Sequence, residues 1–148
     1  MDWRLSMYSY RVTKYNPYYR NKDGIFLKDD WTSVNDVGKL YGEEVEYSEY
    51  LLYENAYIFA VRTVMTANRF NTLQIVGIEK CTPRDYSDIP KDVSSNYIDL
   101  IMEGTTVDCA NIDFLIRLIL REMMWGKLIC ENMYVHFGYD YYMYIGCS

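Results

Sequence analysis

Residues 133–147 read MYVHFGYDYYMYIGC, and they contain the clearest strand pattern in this chain of 148 residues. Apolar side chains alternate with tyrosines and a histidine on both sides of a short segment, residues 138–140, that begins with glycine. Such alternation around a turn is typical of a β-hairpin. A three-residue loop predicts the pairs Phe137 with Tyr141, Val135 with Met143 and Met133 with Ile145 on one face, and His136 with Tyr142 and Tyr134 with Tyr144 on the other. The first face is apolar and should lie on the core.

The second face of this hairpin is a candidate binding surface with Tyr134, His136, Tyr142 and Tyr144. Tyrosine combines a broad apolar ring with a hydroxyl and is enriched at protein interfaces. Two interpretations stay open: the face binds a partner, or other residues of the same chain cover it. His136 is the only histidine of the chain. A lone strand histidine is more often a packing or surface residue than a base, so we expect no chemistry from it.

Two helical patterns and two further strands precede the hairpin. Apolar side chains recur every three or four positions in residues 48–68, behind the N-cap candidate Ser48, and a second helix is expected at 111–125, between Asn111 and Gly126. Strands are expected near residues 5–14, 72–80, 131–137 and 141–147. These elements predict a single α+β domain, residues 1–148, in which an antiparallel sheet of about four strands with a carboxyl-terminal hairpin is packed by two longer helices.

The segments between these elements have the composition of turns and loops. Thr32 and Ser33 are N-cap candidates for a short helix at 34–40 that ends at Gly42. Residues 81–95 contain two prolines and several aspartates and serines, which predicts a surface loop. Residues 97–107 carry no pattern that assigns them.

The negative charge of the chain is concentrated in one segment. Lys and Arg number 15 against 21 Asp and Glu, and the net charge of -6 disfavours a protein whose main task is to neutralise nucleic-acid phosphates. Residues 29–60 alone hold eight acidic residues and one basic residue. They form either a solvated face or an anionic surface for a basic partner. The partner-binding candidates are Asp29, Asp30, Trp31, Asp36, Glu43, Glu44 and Glu46, with Trp31 and nearby tyrosines as buried anchors.

Motifs for catalysis and cofactor binding are absent from the sequence. A single histidine excludes the H-E-x-x-H metalloprotease motif, and neither glycine-rich phosphate-binding motif occurs. The four cysteines lack the C-x-x-C spacing of a zinc knuckle, so free thiols are expected. A Cys147 nucleophile activated by His136 stays open, as do carboxylate pairs that meet only in the fold. The sequence predicts no cofactor, no metal site and no enzyme activity.

The hydropathy of the sequence indicates the cellular compartment of the protein. Residues 1–6 lack the apolar core of a signal peptide, and no stretch approaches about 18 apolar residues without a charge. We therefore expect a cytoplasmic protein without membrane association, in which the cysteines stay reduced.

Three stretches carry a family resemblance: YRVTKYNP at 10–17, DDWTSVNDVG at 29–38 and YVHFGYDYYMY at 134–144. They resemble small bacterial immunity proteins of contact-dependent growth inhibition and related polymorphic toxin systems. The resemblance implies a cytoplasmic inhibitor that binds one toxin domain, often a nuclease, and blocks its active site. It implies the role alone and assigns no binding residue.

The residues and the resemblance together favour a non-catalytic inhibitor whose acidic surface binds a protein, namely a basic toxin domain. Neither nucleic acid nor a membrane is expected as partner, and homo-oligomer formation stays open. The alternative is a small cytoplasmic enzyme or ligand-binding domain with a pocket near the hairpin of tyrosines and His136. A deep polar pocket that contains His136 and a carboxylate would favour this alternative.

Overall fold

The computed structural model describes residues 8–80 and 95–148. The strands are β1 (Tyr8–Val12), β2 (Leu40–Tyr41), β3 (Glu43–Glu44), β4 (Thr72–Lys80), β5 (Thr106–Asp108), β6 (Met124–Cys130), β7 (Met133–Phe137) and β8 (Met143–Cys147). The helices are α1 (Tyr47–Ala67), α2 (Ser95–Leu100) and α3 (Ile112–Leu120). Six strands form one antiparallel sheet in the order β1-β8-β7-β6-β4-β5, and β2 pairs with β3 separately. Among the described residues, no helix combines the length and hydropathy needed to cross a membrane.

The predicted α+β class and the single antiparallel sheet are confirmed, but the sheet has six strands rather than about four. Strand β4 has the predicted bounds. The first strand begins at Tyr8, and residues 5–7 of its prediction lie outside the described residues. One extra strand, β5, begins at the end of the segment that carried no pattern. The other, β6, begins inside the predicted second helix.

The second long helix ends at Leu120 and not at Gly126, because the chain turns back at Glu122. Glu122 has φ 59, and its N–H donates to the Ile119 carbonyl at 3.0 Å. The Met123 N–H donates to the Leu118 carbonyl, also at 3.0 Å. These two bonds are the Schellman arrangement that closes a helix, and it usually has glycine at the left-handed position. With glutamate there, the sequence contained no visible stop signal.

The carboxyl-terminal hairpin is confirmed, but its register differs by two residues from the prediction. The loop spans residues 138–142, and Phe137 pairs with Met143 while His136 pairs with Tyr144. Because the last pair before the loop is Phe137 with Met143, the loop is longer than three residues. Asp140 and Tyr141 in this loop both have positive φ, 57° and 64°. Because side chains alternate with a period of two, a shift of two residues changes the partners and preserves the faces.

The predicted short helix at 34–40 is one 3₁₀ turn, Val34–Asp36. Ser33 is its N-cap, and the Ser33 hydroxyl accepts a hydrogen bond from the Asn35 N–H at 3.0 Å. The chain then forms the β2-β3 ribbon around Gly42, which has φ 79. The predicted loop at 81–95 lies, up to residue 94, outside the described residues.

The inner face of the sheet packs against α1 and α3, and an aromatic cluster fills one end of this layer. Trp31, Tyr50, Tyr57 and Tyr141 are all buried. The Tyr141 ring centroid lies 5.1 Å from that of Trp31 and 4.8 Å from that of Tyr57. The Tyr57 hydroxyl donates to the Tyr141 carbonyl at 2.7 Å. The positive φ of Tyr141 therefore turns a loop residue into the core.

A buried ion cluster connects α1 to α3. Glu54 of α1 is 0% exposed, and both its oxygens accept hydrogen bonds from Arg121, one from Nε and one from Nη2, each at 2.9 Å. Arg117 also donates to Glu54. Tyr47 accepts a further bond from Arg121 at 2.9 Å. The charged side chains of the two helices thus face each other inside the layer and not the solvent.

We expect the buried tyrosines to make the protein unfold at alkaline pH. Burial raises the pKa of Tyr15, Tyr50, Tyr57 and Tyr141 in the folded state. The stabilisation is therefore complete below the unfolded-state pKa of about 10 and is lost as pH rises above it. Each tyrosine that keeps its proton only in the folded state contributes a slope of about 1.4 kcal/mol per pH unit. Burial lowers the pKa of Lys14, which acts in the opposite direction, but as a single group.

A titration that follows tyrosinate absorbance together with circular dichroism measures this effect. Exposed tyrosines should ionise first, and the buried ones should ionise together with the loss of the helical signal. Tyr50→Phe should weaken the pH dependence, and Tyr139→Phe, at a side chain that is 93% exposed, should not. Ionisation of all 17 tyrosines with an unchanged dichroism spectrum would contradict the prediction.

Candidate functional site

Three acids of the 29–60 segment, Glu54, Asp30 and Asp36, have partners within the fold. Glu54 belongs to the buried ion cluster between α1 and α3. Asp30 accepts a hydrogen bond from the Trp31 N–H at 2.8 Å, and its other oxygen lies 2.9 Å from Lys14 Nζ. The Lys14 contact ties the loop at residue 30 to the segment that follows β1. Asp30 is therefore half-buried and already paired.

Asp36 is the third acid with a structural role, and it is 7% exposed. Its carboxylate accepts a bond from the Thr32 N–H at 2.9 Å and pairs with Lys39 Nζ at 3.2 Å. Burial alone would raise the pKa of Asp36, but the bonds from Thr32 and Lys39 lower it below its usual range. The carboxylate thus closes the 3₁₀ turn and is not presented to solvent.

The other acids of the segment are exposed: Asp29, Glu43, Glu44, Glu46 and Glu49. None of these carboxylates makes an ion pair with any residue that the structure describes, although Glu46 accepts a hydrogen bond from Ser48 at 3.3 Å. Tyr41 lies close to two of these acids. It pairs with Glu43 in the ribbon, and it is near Asp29. Partial burial, followed by the carboxylates of Asp36, Asp29 and Asp30, raises the pKa of Tyr41. We call these five exposed acids the acidic surface.

Trp31 lies beneath the acidic surface and not on it, since its side chain is 2% exposed. Lys14 Nζ stands 4.0 Å from the centroid of the Trp31 ring and 4.3 Å from that of Tyr15. The Lys14 side chain is itself 1% exposed, and burial lowers its pKa. Trp31 therefore packs the scaffold and, by cation–π contact, holds the buried lysine. A partner can reach it only if this loop moves.

The structure brings together three of the four residues of the predicted tyrosine face. Tyr134, His136 and Tyr144 lie on the outer side of the sheet, where Tyr134 covers Gly146 and donates to the Ser9 hydroxyl at 2.8 Å. Any side chain at residue 146 would overlap the Tyr134 ring.

The longer loop takes Tyr142 out of the strand, so it does not pair with His136 as predicted. Its hydroxyl accepts a bond from Arg20 Nη2 at 2.7 Å. The guanidinium groups of Arg11 and Arg20 also lie over its ring, at 5.4 and 5.7 Å from the centroid. The surroundings of Tyr142 are therefore cationic, in contrast to the acidic surface.

His136 and Cys147 are not arranged as a catalytic pair. Cys147 lies opposite Met133 on the inner face of the sheet, whereas His136 belongs to the outer face. Burial raises the pKa of the Cys147 thiol and lowers the pKa of His136, the latter with a further effect of Lys127. Nδ1 of His136 is buried without a hydrogen-bond partner among the described residues. A thiol and an imidazole on opposite faces do not activate each other.

A groove of about 600 Å³ opens beside the hairpin loop. Thr32 and Ser33 line it on the side of the acidic segment, and the turn at the end of α3 lines it on another. The carboxylate and imidazole side chains that line it are those of Glu79, Glu122, Asp140 and His136. Neither Glu79 nor Asp140 was among the predicted site residues, because they lie far apart in sequence in a strand and a loop.

Tyr15 joins the acidic segment to the hairpin loop. Its hydroxyl donates to the Asp140 carbonyl at 2.7 Å and lies 3.4 Å from the Trp31 carbonyl oxygen. Burial raises the pKa of Tyr15, and the nearby carboxylates of Asp140 and Asp30 act in the same direction. The hairpin loop and the loop at Trp31 therefore meet at this residue.

No protein-family model matches this chain, and comparison with curated proteins and with solved structures finds no match. Among the described residues, no group of three or more His, Cys, Asp or Glu side chains has an arrangement that could hold a metal ion. The functional argument therefore depends on the chain's own residues and geometry.

We expect Trp31→Ala to act on folding and not directly on an interface. Removal of a buried tryptophan leaves a cavity and costs about 3–5 kcal/mol. Urea unfolding should show this loss, while Tyr139→Ala, at an exposed aromatic residue, should stay within about 0.5 kcal/mol of the parent protein. If the Trp31→Ala protein were as stable as the parent protein, Trp31 would not be part of the scaffold and the prediction would be wrong.

Proposed function

We propose that this protein is a non-catalytic, protein-binding inhibitor, most concretely an immunity protein that neutralises a cognate bacterial toxin domain through its acidic surface. The resemblance of residues 10–17, 29–38 and 134–144 to immunity proteins supports the role. The different structural roles of the acids in residues 29–60 support the acidic surface as the binding surface. Glu54, Asp36 and Asp30 are used in the scaffold, whereas the five acids of the acidic surface are exposed and take no part in described ion pairs.

The chemistry of the partner follows from this charge. A toxin that cleaves nucleic acid presents Lys and Arg to phosphates, so its binding surface is basic. An acidic protein surface complements it, accelerates encounter and orients the two proteins. Such an inhibitor works by covering the toxin's site and needs no catalytic group of its own.

The alternative function, a small cytoplasmic enzyme or ligand-binding domain, has one observation in its favour. The groove contains both His136 and carboxylates, as this alternative requires. Against the enzyme, Nδ1 of His136 has no orienting hydrogen bond among the described residues. A base in an active site is usually held by such a bond.

We expect charge reversal on the acidic surface to slow association with the partner. The partner is first identified by affinity capture from the native host, and its association and dissociation rates are then measured at several salt concentrations. Asp29→Lys with Glu43→Lys should slow association by about tenfold, flatten its salt dependence and leave dissociation nearly unchanged. Both residues are exposed, so the fold should persist.

Glu131→Lys is the control, and it is matched to Asp29→Lys alone because each variant reverses one charge. Glu131 is exposed in the turn between β6 and β7, at the opposite end of β7 from the loop at 138–142. It changes the net charge without touching the acidic surface, and it should leave the association rate within about twofold. Equal effects of reversal at both places would refute the proposed surface.

His136→Gln separates the inhibitor from the alternative. Since the proposed inhibitor uses no imidazole chemistry, binding of the captured partner should stay within about tenfold, or 1.4 kcal/mol. Loss of all activity in a folded His136→Gln protein would favour the enzyme.

A further inference from the structure

The groove beside the hairpin loop has its own recognition chemistry. Thr32 and Ser33 line it, and they follow Asp29 of the acidic surface by three and four residues. Its position therefore allows one partner to cover the acidic surface and enter the groove.

The charged side chains that line the groove are anionic. Glu79, Glu122 and Asp140 contribute carboxylates, and the described lining residues include no lysine or arginine. Ser33 and Asn35 donate hydrogen bonds to Glu122, which fixes that carboxylate to one wall. Glu79 and Asp140 are exposed and make no ion pair with any described residue. Burial, followed by the effect of Lys127, lowers the pKa of His136, which favours the neutral imidazole, and a neutral ring does not offset these charges.

Aromatic rings complete the lining. Trp125 is fixed by its Nε1–H, which donates to the Phe137 carbonyl at 3.0 Å, and its ring meets His136 edge-on with centroids 5.9 Å apart. Tyr139 in the loop is 93% exposed. Aromatic faces and carboxylates together favour a planar cation over a compact one, because a guanidinium both stacks on rings and binds a carboxylate through two N–H groups.

We propose that this groove binds an arginine side chain, presented by a peptide segment of the protein partner. The identity of the partner rests on the proposed function. The choice of an arginine does not, because it follows from Glu79, Asp140 and Trp125. The arginine would act as the central anchor of the interface, while the acidic surface acts on the rate of encounter.

The test uses the full chain and acetyl-arginine amide as a probe, with acetyl-citrulline amide as the uncharged analogue. Nuclear magnetic resonance follows the Trp125 indole N–H and the His136 ring protons. We expect saturable shifts with arginine, with a dissociation constant on the order of 1 mM, and none with citrulline. Glu79→Gln with Asp140→Asn should weaken binding by about tenfold, and asparagine suits the left-handed backbone at residue 140.

Glu43→Gln with Glu44→Gln removes two charges outside the groove and serves as the matched control, with an expected change of less than about twofold. Equal shifts with arginine and citrulline, or equal weakening by both double variants, would overturn the inference.

The same variants separate this inference from the proposed function. If the captured partner binds the Glu79→Gln, Asp140→Asn protein unchanged, the groove inference fails and the inhibitor proposal stands. If the arginine probe binds as expected but affinity capture yields no toxin, the groove chemistry is supported and the inhibitor proposal fails.

Discussion

The carboxylate of Glu54 is removed from water between α1 and α3, and it is stable there because the guanidinium groups of Arg117 and Arg121 surround it. An unpaired buried carboxylate would cost several kcal/mol, so the helices must meet at this point and in this orientation. The cluster fixes the end of α3, where the chain turns at Glu122 into β6. That turn forms one wall of the groove, and α1 holds Tyr50 and Tyr57 against Tyr141 of the hairpin loop.

Eight acids in residues 29–60 look alike in the sequence and differ in the structure. Glu54 lies inside the helix layer, Asp30 pairs with Lys14, and Asp36 closes a 3₁₀ turn. The remaining acids lie on the surface, so the charge that a partner meets is smaller than the sequence suggests. Asp140 is an exposed acid outside this segment, and Tyr15 holds its loop against the loop at Trp31.

Local pattern predicted much of the fold, and long-range contacts account for what it missed. Richness in Ile, Val and Leu identified β4, alternation with a period of two identified the hairpin, and helical periodicity placed α1 within a residue at each end. The end of α3 was missed because Glu122 occupies a position where glycine is the usual signal. The burial of Trp31 and the approach of Asp140 depend on contacts between distant segments, such as Tyr15 with Asp140, which no window of sequence contains.

The division between scaffold acids and surface acids is tested most directly on α1, which carries one of each. Urea unfolding of Glu54→Gln and of Glu49→Gln compares the same chemical change at a buried and an exposed residue of one helix. We predict that Glu54→Gln lowers the free energy of unfolding by about 3–5 kcal/mol, because buried Arg121 loses its charge partner, and that Glu49→Gln lowers it by less than about 1 kcal/mol. Equal losses in the two variants would contradict the account.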